Sequence, residues 1–246
     1  MLKILHYFTV LQKKINQSVP SAIIIGSIFI SISIIAQAYL FRGTGAVEPI
    51  KAGSVLFQGH AIDNTDHIEG DTKSKVVVIE YSDPECPYCI QLHPTMKKLR
   101  TDYGDSVAFV YRSYPLTQIH PHAFDESRAI TCAGSVGGTK GFYVYIDAIF
   151  GYKVNKQSNQ LPVTGKEDIA KSINLDMKKF TDCMNGTEAG AIVDASTNDG
   201  IKAGVSGTPS TFILLKTSEG YEIIANVSGA QTYPYFKAAI DEALSK

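Results

Sequence analysis

The stretch that most constrains the fold of this chain is residues 76–100, VVVIEYSDPECPYCIQLHPTMKKLR. Four consecutive apolar β-formers at residues 76–79 predict a buried strand. After a short turn, Cys86 and Cys89 open a segment whose apolar residues have helical spacing. Pro94 lies inside that segment and is expected to kink the helix rather than end it. Two cysteines separated by two residues are therefore predicted to lie at a strand–helix junction.

Size and charge bound the classes of function. The chain has 246 residues, of which 44% are hydrophobic, and this is enough for one or two domains with a real core. Its formal net charge of -1 gives no reason to expect nucleic acid or an acidic substrate as a partner.

An apolar segment near the N-terminus predicts a membrane anchor. Residues 15–41 contain no charged side chain, and residues 22–40 are almost wholly apolar. About 20 such residues span a bilayer. Three lysines precede the segment, so the positive-inside rule places residues 1–20 in the cytoplasm and the chain after residue 41 outside the cell membrane. Residues 21–41 are then a transmembrane helix.

A cleaved signal peptide is the alternative interpretation of this segment. The small-x-small sequence Ala36-Gln37-Ala38 fits a cleavage site, but the apolar run is long for a signal peptide and continues past it. Both interpretations export the rest of the chain, to the periplasm or the cell exterior. An exported domain can hold disulfides.

The remaining chain alternates between strand, helix and loop patterns. The pattern predicts a linker at residues 42–65, with a short strand at residues 54–58, and a polar loop at residues 61–75. Residues 107–114 are predicted to form the strand after the cysteine-bearing helix. A strand, helix, strand order with this connection suggests a parallel βαβ unit. Five further helices are predicted at residues 123–133, 142–150, 166–173, 177–184 and 189–203. Strands at residues 211–215 and 221–227 and a helix at 233–244 complete the order.

Several short motifs accompany this order. They are residues 80–89 (EYSDPECPYC), His120-Pro121, Cys132-Ala133, Phe142 with residues 147–150 (DAIF), residues 204–209 (GVSGTP) and residues 228–230 (SGA). Together with the element order, they resemble the DsbA-like thiol–disulfide oxidoreductases over roughly residues 66–245. The resemblance implies an α/β, thioredoxin-like fold with an inserted helical subdomain at about residues 120–205, here preceded by an N-terminal transmembrane helix.

The chemistry expected of the cysteine pair follows from its place on the helix. Cys86 is predicted to be the first residue or cap of the helix, where unpaired N–H groups and the helix dipole favour an anion. Its thiolate is then the exposed nucleophile, with a pKa below the ordinary value. Cys89, one turn further on, is more buried and resolves a mixed disulfide at Cys86. Pro87 suits the first helical turn, and Tyr88 adds bulk and a hydroxyl beside the nucleophile.

Two alternatives for the pair remain at this point. A structural zinc site needs two further ligands, and Cys132 and Cys183 are the thiols available. A purely structural disulfide between Cys86 and Cys89 is the second alternative. A redox-active pair that requires no metal and no cofactor is the favoured interpretation.

The resemblance also assigns roles to residues outside the pair. Pro209 matches the cis-proline that faces the cysteines, and Thr208 before it is expected to pair with a bound peptide strand. Glu80 matches a buried acid that relays a proton near Cys89, with a pKa raised by desolvation. The alternatives are an ordinary strand-entry proline at Pro209 and an outward-pointing side chain at Glu80. Glu85 is expected to be exposed.

His120 and His122 are expected at the start of the inserted helices, in a local turn or surface role rather than beside Cys86. A Cys–His hydrolase would need a third, orienting group, and nothing in the sequence identifies one.

Cys132 and Cys183 are predicted to form a structural disulfide, as similar proteins often carry cysteines at these places. Closing a loop of about 50 residues is worth on the order of 4 kcal/mol if the bond is unstrained. The alternative is a second redox pair that passes electrons.

The predicted function is disulfide donation to exported protein thiols by a membrane-tethered, extracytoplasmic enzyme, reoxidised by a quinone-linked membrane thiol oxidase. A reductase or isomerase of the same fold is the alternative enzyme, and the reduction potential separates the two. A non-catalytic chaperone or binding module is a third hypothesis, which the intact cysteine pair argues against.

Overall fold

A five-stranded sheet organises residues 55–246, the part of the chain that the computed structural model describes. The strand order is β1-β3-β2-β4-β5, with β2 and β3 parallel and the other neighbours antiparallel. The strands are β1 (Ile68–Glu69), β2 (Val76–Ser82), β3 (Val107–Ser113), β4 (Ser210–Thr217) and β5 (Gly220–Ser228). The predicted cytoplasmic segment, the membrane anchor and most of the linker lie outside the described residues. Within residues 55–246, no helix combines the length and the hydrophobicity needed to cross a membrane.

The central strand β2 is the one that the sequence predicts most directly. Its β-branched run suits a strand between two others, and all of its residues are buried. The register places Glu80 opposite Tyr111 of β3 and Thr211 of β4. These three residues form one row across the sheet, at the end of β2 that leads into the cysteine loop.

Six helices complete the described fold and confirm the predicted α/β order with a helical insertion. They are α1 (Pro87–Tyr103), α2 (Ala123–Lys156), α3 (Gly165–Ser172), α4 (Met177–Asn185), α5 (Glu188–Lys202) and α6 (Tyr233–Leu244). Helix α1 continues through Pro94 to its C-terminal cap at Gly104. Helices α2 to α5 form the insertion between β3 and β4.

The run labelled α2 consists of two helices separated at Gly138, which confirms the prediction of two helices at residues 123–133 and 142–150. The backbone angles of Gly138 (φ 62°, ψ −163°) are not helical. The predicted end near Gly151 is wrong, because the helix continues to Lys156. Phe150 and Lys153, on either side of Gly151, are buried, and their packing favours a continuous helix despite the low helix propensity of glycine.

Two apolar layers cover the two faces of the sheet. Helices α1 and α6 pack on one face, where Leu92 and Phe236 meet strand residues such as Val78. Phe57, Val205 and neighbouring residues cover the other face. A third cluster joins Cys89 to the interior of α2 and the shorter inserted helices. The cysteine-bearing helix therefore lies at the boundary between the sheet and the insertion.

The N-terminal part of the described chain adds less strand than predicted. Of the strand predicted at residues 54–58, the described residues 55–58 contribute a single bridge, between Leu56 and Glu222 of β5. The two-residue strand β1 lies instead in the segment expected to be loop, and pairs with Val110 and Phe109 of β3. Strands this short carry little sequence signal.

Candidate active site

Cys86 occupies the N-cap of α1. Its backbone is extended (φ −69°, ψ 122°), and the proline that follows it lies in the first turn of the helix. The Cys86 side chain makes no cap hydrogen bond, but the backbone N–H groups of Tyr88 and Cys89 are near enough to its sulfur to lower its pKa. The position agrees with the sequence analysis, and it surrounds the sulfur with donors that favour its anion.

The Cys86 side chain is less exposed than the sequence analysis expects. It is 4% exposed, and Cys89 is fully buried. In its protonated form the Cys86 thiol donates to the Thr208 carbonyl oxygen, with a sulfur–oxygen distance of 3.3 Å. Cys89 Sγ accepts from the backbone N–H of Asp83 at 3.4 Å. The expected exposure was wrong because Thr208, just before the neighbouring strand β4, contacts the cap.

The pKa values of the two thiols are shifted in opposite directions. The hydrogen bond from Cys89, with those from the backbone, lowers the pKa of Cys86 to about 5, although burial opposes this shift. Burial raises the pKa of Cys89 well above its ordinary value, and the nearby Cys86 and Glu80 charges raise it further. At neutral pH Cys86 is therefore a thiolate and Cys89 a thiol, which is the division of labour that thiol exchange requires.

Thr208 and Pro209 face the cysteine pair just before β4. The peptide bond between them is cis. The carbonyl oxygen of Pro209 accepts a hydrogen bond from Gly229 N at 2.8 Å, which ties this corner to the end of β5. Tyr88, on the exposed side of the pair, has 62% of its surface accessible. Thr208, Pro209 and Tyr88 thus surround the reactive sulfur.

Glu80 is buried beneath the pair, at 6% exposure, and does not point outward. Desolvation raises its pKa to about 6, against the opposing effects of Ser82 and Arg100. Its charge is one of those that raise the pKa of Cys89. A carboxyl group that titrates near neutrality beside a buried thiol can exchange a proton with it.

The loop between β2 and α1 contains two acids whose surroundings the sequence did not reveal. Glu85 is 1% exposed, so the expectation of an exposed side chain is wrong. Its carboxylate accepts from the backbone N–H of His122, at 2.6 Å, just before α2. Asp83 is fully buried and contacts His120 Nδ1 at 2.8 Å. His120 is therefore part of a buried contact to this loop rather than a surface residue.

The remaining two cysteines form a disulfide within the insertion. Cys132 of α2 and Cys183 of α4 are joined across a sequence separation of 51 residues. Cys132 is fully buried among apolar side chains. The disulfide removes both thiols that a zinc site at Cys86 and Cys89 would need.

One cavity within the described residues lies away from the thiols. It has a volume of about 510 Å³ and lies between β3, α2, α5 and the loop before β1, with Arg112 and Asp199 among its lining residues. Neither Cys86 nor Cys89 lines it. Cys86 lies instead next to the exposed Tyr88, an arrangement suited to a protein substrate rather than an enclosed small molecule.

Comparisons with known proteins agree with this architecture. The family model described as Thioredoxin matches residues 63–242. Wolbachia pipientis alpha-DsbA1 has a TM-score of 0.64 at 21% identity, covering 75% of this chain and 94% of that structure. The catalytic domain of Proteus mirabilis ScsC has a TM-score of 0.60 at 22% identity, covering 75% and 92% respectively. Both structures share the fold.

Two curated relatives carry different names. A Salinispora arenicola protein named Na⁺/H⁺ antiporter NhaA 1 is 32% identical over 168 residues, 68% of this chain but only 24% of that protein. The chain thus spans about a quarter of the length of this relative. A Rickettsia bellii protein with the provisional name protein-disulfide oxidoreductase is 28% identical over 206 residues, 80% of this chain and 70% of that protein. Since the Thioredoxin model covers most of the chain, including both Cys86 and Pro209, the protein belongs to the thioredoxin family.

Proposed function

We propose that the protein is a thiol–disulfide oxidoreductase that donates disulfide bonds to exported proteins. The observation that carries this proposal is the unequal pair at the start of α1. Cys86 is a helix-capping thiol with a pKa of about 5, and Cys89 is a buried thiol with a raised pKa. A low-pKa thiol is a good leaving group, and stabilising the reduced form makes the disulfide a stronger oxidant.

The reaction begins with the Cys86–Cys89 disulfide. A substrate thiolate attacks Cys86 Sγ, a new sulfur–sulfur bond forms there, and the Cys86–Cys89 bond breaks. Cys89 leaves with the electron pair and takes a proton from Glu80, whose pKa of about 6 suits this transfer. A second substrate thiolate then attacks the substrate sulfur and releases Cys86 as a thiolate. The substrate loses two electrons and the enzyme gains them.

The surface around Cys86 suits an extended peptide. Thr208 lies just ahead of β4 and its carbonyl oxygen is already within 3.3 Å of the reactive sulfur. A substrate strand that pairs with the backbone of Thr208 places its thiol at Cys86. Pro87 and Tyr88 supply exposed contact area beside the sulfur. Backbone pairing of this kind accepts many sequences, as a general disulfide donor requires.

The location and the electron acceptor form the second part of the proposal. Residues 21–41 anchor the chain in the cell membrane and leave the catalytic domain outside the cytoplasm. A quinone-linked membrane thiol oxidase then reoxidises Cys86 and Cys89. The enzyme itself uses no metal and no cofactor, because the cysteine pair carries both electrons.

Trapping of mixed disulfides tests the chemistry. Cys89→Ser removes the resolving thiol, so exported proteins should accumulate as covalent adducts at Cys86 that a reductant releases. Cys86→Ser, the matched control, should give no adducts. Non-reducing electrophoresis of cells that express each variant measures the outcome. Absence of adducts with both variants contradicts the proposed function.

The direction of electron flow has its own measurement. Equilibration of the wild-type pair with glutathione gives its reduction potential. A value near the oxidising end, roughly −120 mV, supports disulfide donation. A value near roughly −270 mV would instead assign a reductase.

A further inference from the structure

Lys153 is a fully buried lysine that reaches the cysteine loop from the helical insertion. It lies in the second half of α2 and has no exposed surface. Its Nζ donates to the carbonyl oxygen of Pro84, at 2.8 Å, and forms an ion pair with Glu126 at 2.5 Å. Pro84 precedes Cys86 by two residues. One ammonium group therefore contacts the backbone of the loop that presents the nucleophile.

The loop is fixed to the insertion by its acids as well. Asp83 accepts hydrogen bonds from the backbone N–H groups of Glu85 and Leu116, both at 2.7 Å, and contacts His120. Glu85 accepts from the backbone N–H of His122. Each of these contacts joins the loop to itself or to residues at the entry of α2. The position of Cys86 is therefore set from the side of the insertion as well as by its own helix.

Buried acids outnumber buried cations around this loop. Three buried carboxyl groups lie here, those of Asp83, Glu85 and Glu126, each at most 1% exposed. Lys153 is the buried cation that faces them, and His120 adds a second positive charge when it is protonated. Two other charged side chains lie close by: Glu80 is near Cys89, and Lys166 is near Glu126. Buried carboxylates near a sulfur disfavour its thiolate, and a buried cation opposes them.

Stabilisation of the fold is by itself a weak explanation for the buried ion pair between Lys153 and Glu126. Replacing a buried ion pair by apolar side chains is often neutral or stabilising, because desolvation of both charges is costly. Burial lowers the pKa of Lys153, and Glu126 with the other acids counteracts this. The pair is thus held in an unfavourable environment directly under the reactive loop. A role in setting the chemistry of that loop explains its placement.

We propose that Lys153 is a positioning residue for Cys86, holding the Pro84 carbonyl and supplying the positive charge that offsets the buried acids and favours the thiolate. This inference rests on the proposed function, because a favoured thiolate is what makes the disulfide a strong oxidant. It places one determinant of the oxidising power in the helical insertion, 69 residues from Pro84 along the chain.

Two substitutions with opposite expected signs test the inference. Lys153→Met keeps an unbranched side chain and removes the charge, so the pKa of Cys86 should rise by about one unit, a tenfold change in the thiolate equilibrium. Glu126→Gln removes one of the opposing acids and should lower the pKa of Cys86. The pH dependence of alkylation of reduced Cys86 measures both shifts and needs no enzymatic activity.

The reduction potential supplies a second readout. The equilibrium constant with glutathione should shift about tenfold toward the disulfide in Lys153→Met, about 30 mV for this two-electron couple, and the opposite way in Glu126→Gln. Arg112→Met is the matched control, because Arg112 forms another buried ion pair, with Asp66 and Asp199, and does not contact the loop. This variant should lose stability and leave the pKa of Cys86 unchanged.

Several outcomes would overturn the inference. One is a shift of the Cys86 pKa in the same direction in Lys153→Met and in Glu126→Gln. Another is a Cys86 pKa in Lys153→Met that equals the value in the wild type or in Arg112→Met. If Lys153→Met does not fold, Glu126→Gln alone decides through the sign of its shift. Failure of Cys89→Ser to trap substrates would contradict the proposed function, whereas the alkylation measurement would still report on Lys153.

Discussion

The two cysteine pairs of this chain have the same functional group in opposite surroundings. Cys86 and Cys89 lie within one helical turn, with the first at the helix cap among backbone donors and buried charges. Cys132 and Cys183 come from two different helices of the insertion, and Cys132 is enclosed by apolar side chains. The first pair has groups that stabilise a thiolate. The second is a cross-link in a region where a charge would be costly.

The comparison shows that reactivity belongs to the environment rather than to the cysteine. A thiolate is the species that attacks and leaves, so a site that lowers the pKa of one sulfur creates both a nucleophile and a leaving group. A long closed loop mainly restricts the unfolded chain, so the bond between Cys132 and Cys183 contributes to stability. Substitutions in either cysteine pair, or beside it, test this difference.

The largest expected effect comes from removing the structural disulfide. The double variant Cys132→Ser/Cys183→Ser should lose about 4 kcal/mol of unfolding free energy, roughly a thousandfold in the folding equilibrium, from loop-closure entropy. Its thiol exchange, measured below the unfolding transition, should be retained. Chemical denaturation of the oxidised protein and of the variant measures the loss.

Cys86→Ser/Cys89→Ser is the control for that experiment. This pair closes a very short loop, so its removal should cost much less stability while abolishing exchange. Equal stability losses in the two double variants would show that the pairs do not differ as proposed.

Glu80 gives the next effect, on the rate of exchange. Glu80→Gln should slow the resolution of a mixed disulfide by about a hundredfold, the lower end for loss of a general acid–base group. In the wild type the attack of Cys89 should accelerate as the pH rises through about 6, because Glu80 must be deprotonated to accept the Cys89 proton. The variant should lack that inflection. Stopped-flow kinetics with a peptide mixed disulfide measure both.

The stability of the same variant distinguishes a chemical role of Glu80 from a structural one. Burial raises the pKa of Glu80 from 4.5 to about 6, so the folded state binds this proton more tightly than the unfolded state does. The contribution of Glu80 to stability is therefore lost as the pH rises from 4.5 through about 6. Glu80→Gln should therefore be at least as stable as the wild type at pH 7. Glu219→Gln, in the exposed β4–β5 turn, is the neutral control. A slow but markedly destabilised Glu80→Gln would point to a structural role instead.

The smallest effect is expected at the surface beside the nucleophile. Tyr88→Ala removes a side chain that is 62% exposed, and should raise KM for a protein substrate by about fivefold, the loss of roughly 1 kcal/mol of contact. Its kcat and the pKa of Cys86 should change little. Steady-state oxidation of a reduced protein substrate measures KM and kcat separately. Val163→Ala, at a remote residue that is 96% exposed, should change neither parameter.

Much of the fold followed from local patterns. The β-branched run of β2 and the apolar spacing of α1 predicted both elements, and the terminal helix α6 matches its predicted bounds. The errors fall where tertiary packing overrides local propensity. Gly151 was expected to end a helix that continues to Lys156, and β1 lies in a segment that was predicted to be loop.

The features of the site likewise fall into those that the local sequence predicted and those that depend on tertiary packing. The position of Cys86 at a helix cap depends on a few neighbouring residues, so spacing alone predicted it. The burial of Glu85 and the contact of Lys153 with Pro84 left no local signal, because charged residues are usually exposed and pattern reasoning places them at the surface. A buried lysine becomes evident only once its partner Glu126 is seen beside it.

The sequence by itself determined which thiols can react, because a cysteine pair at a strand–helix junction acquires its donors from its own helix. Only the tertiary structure decided how that pair is covered and charged. Cys86 meets the Thr208 carbonyl across 122 residues, and Pro84 meets Lys153 across 69. Such contacts depend on how the sheet and the insertion pack together, and they tune the same two sulfurs that local spacing had already placed.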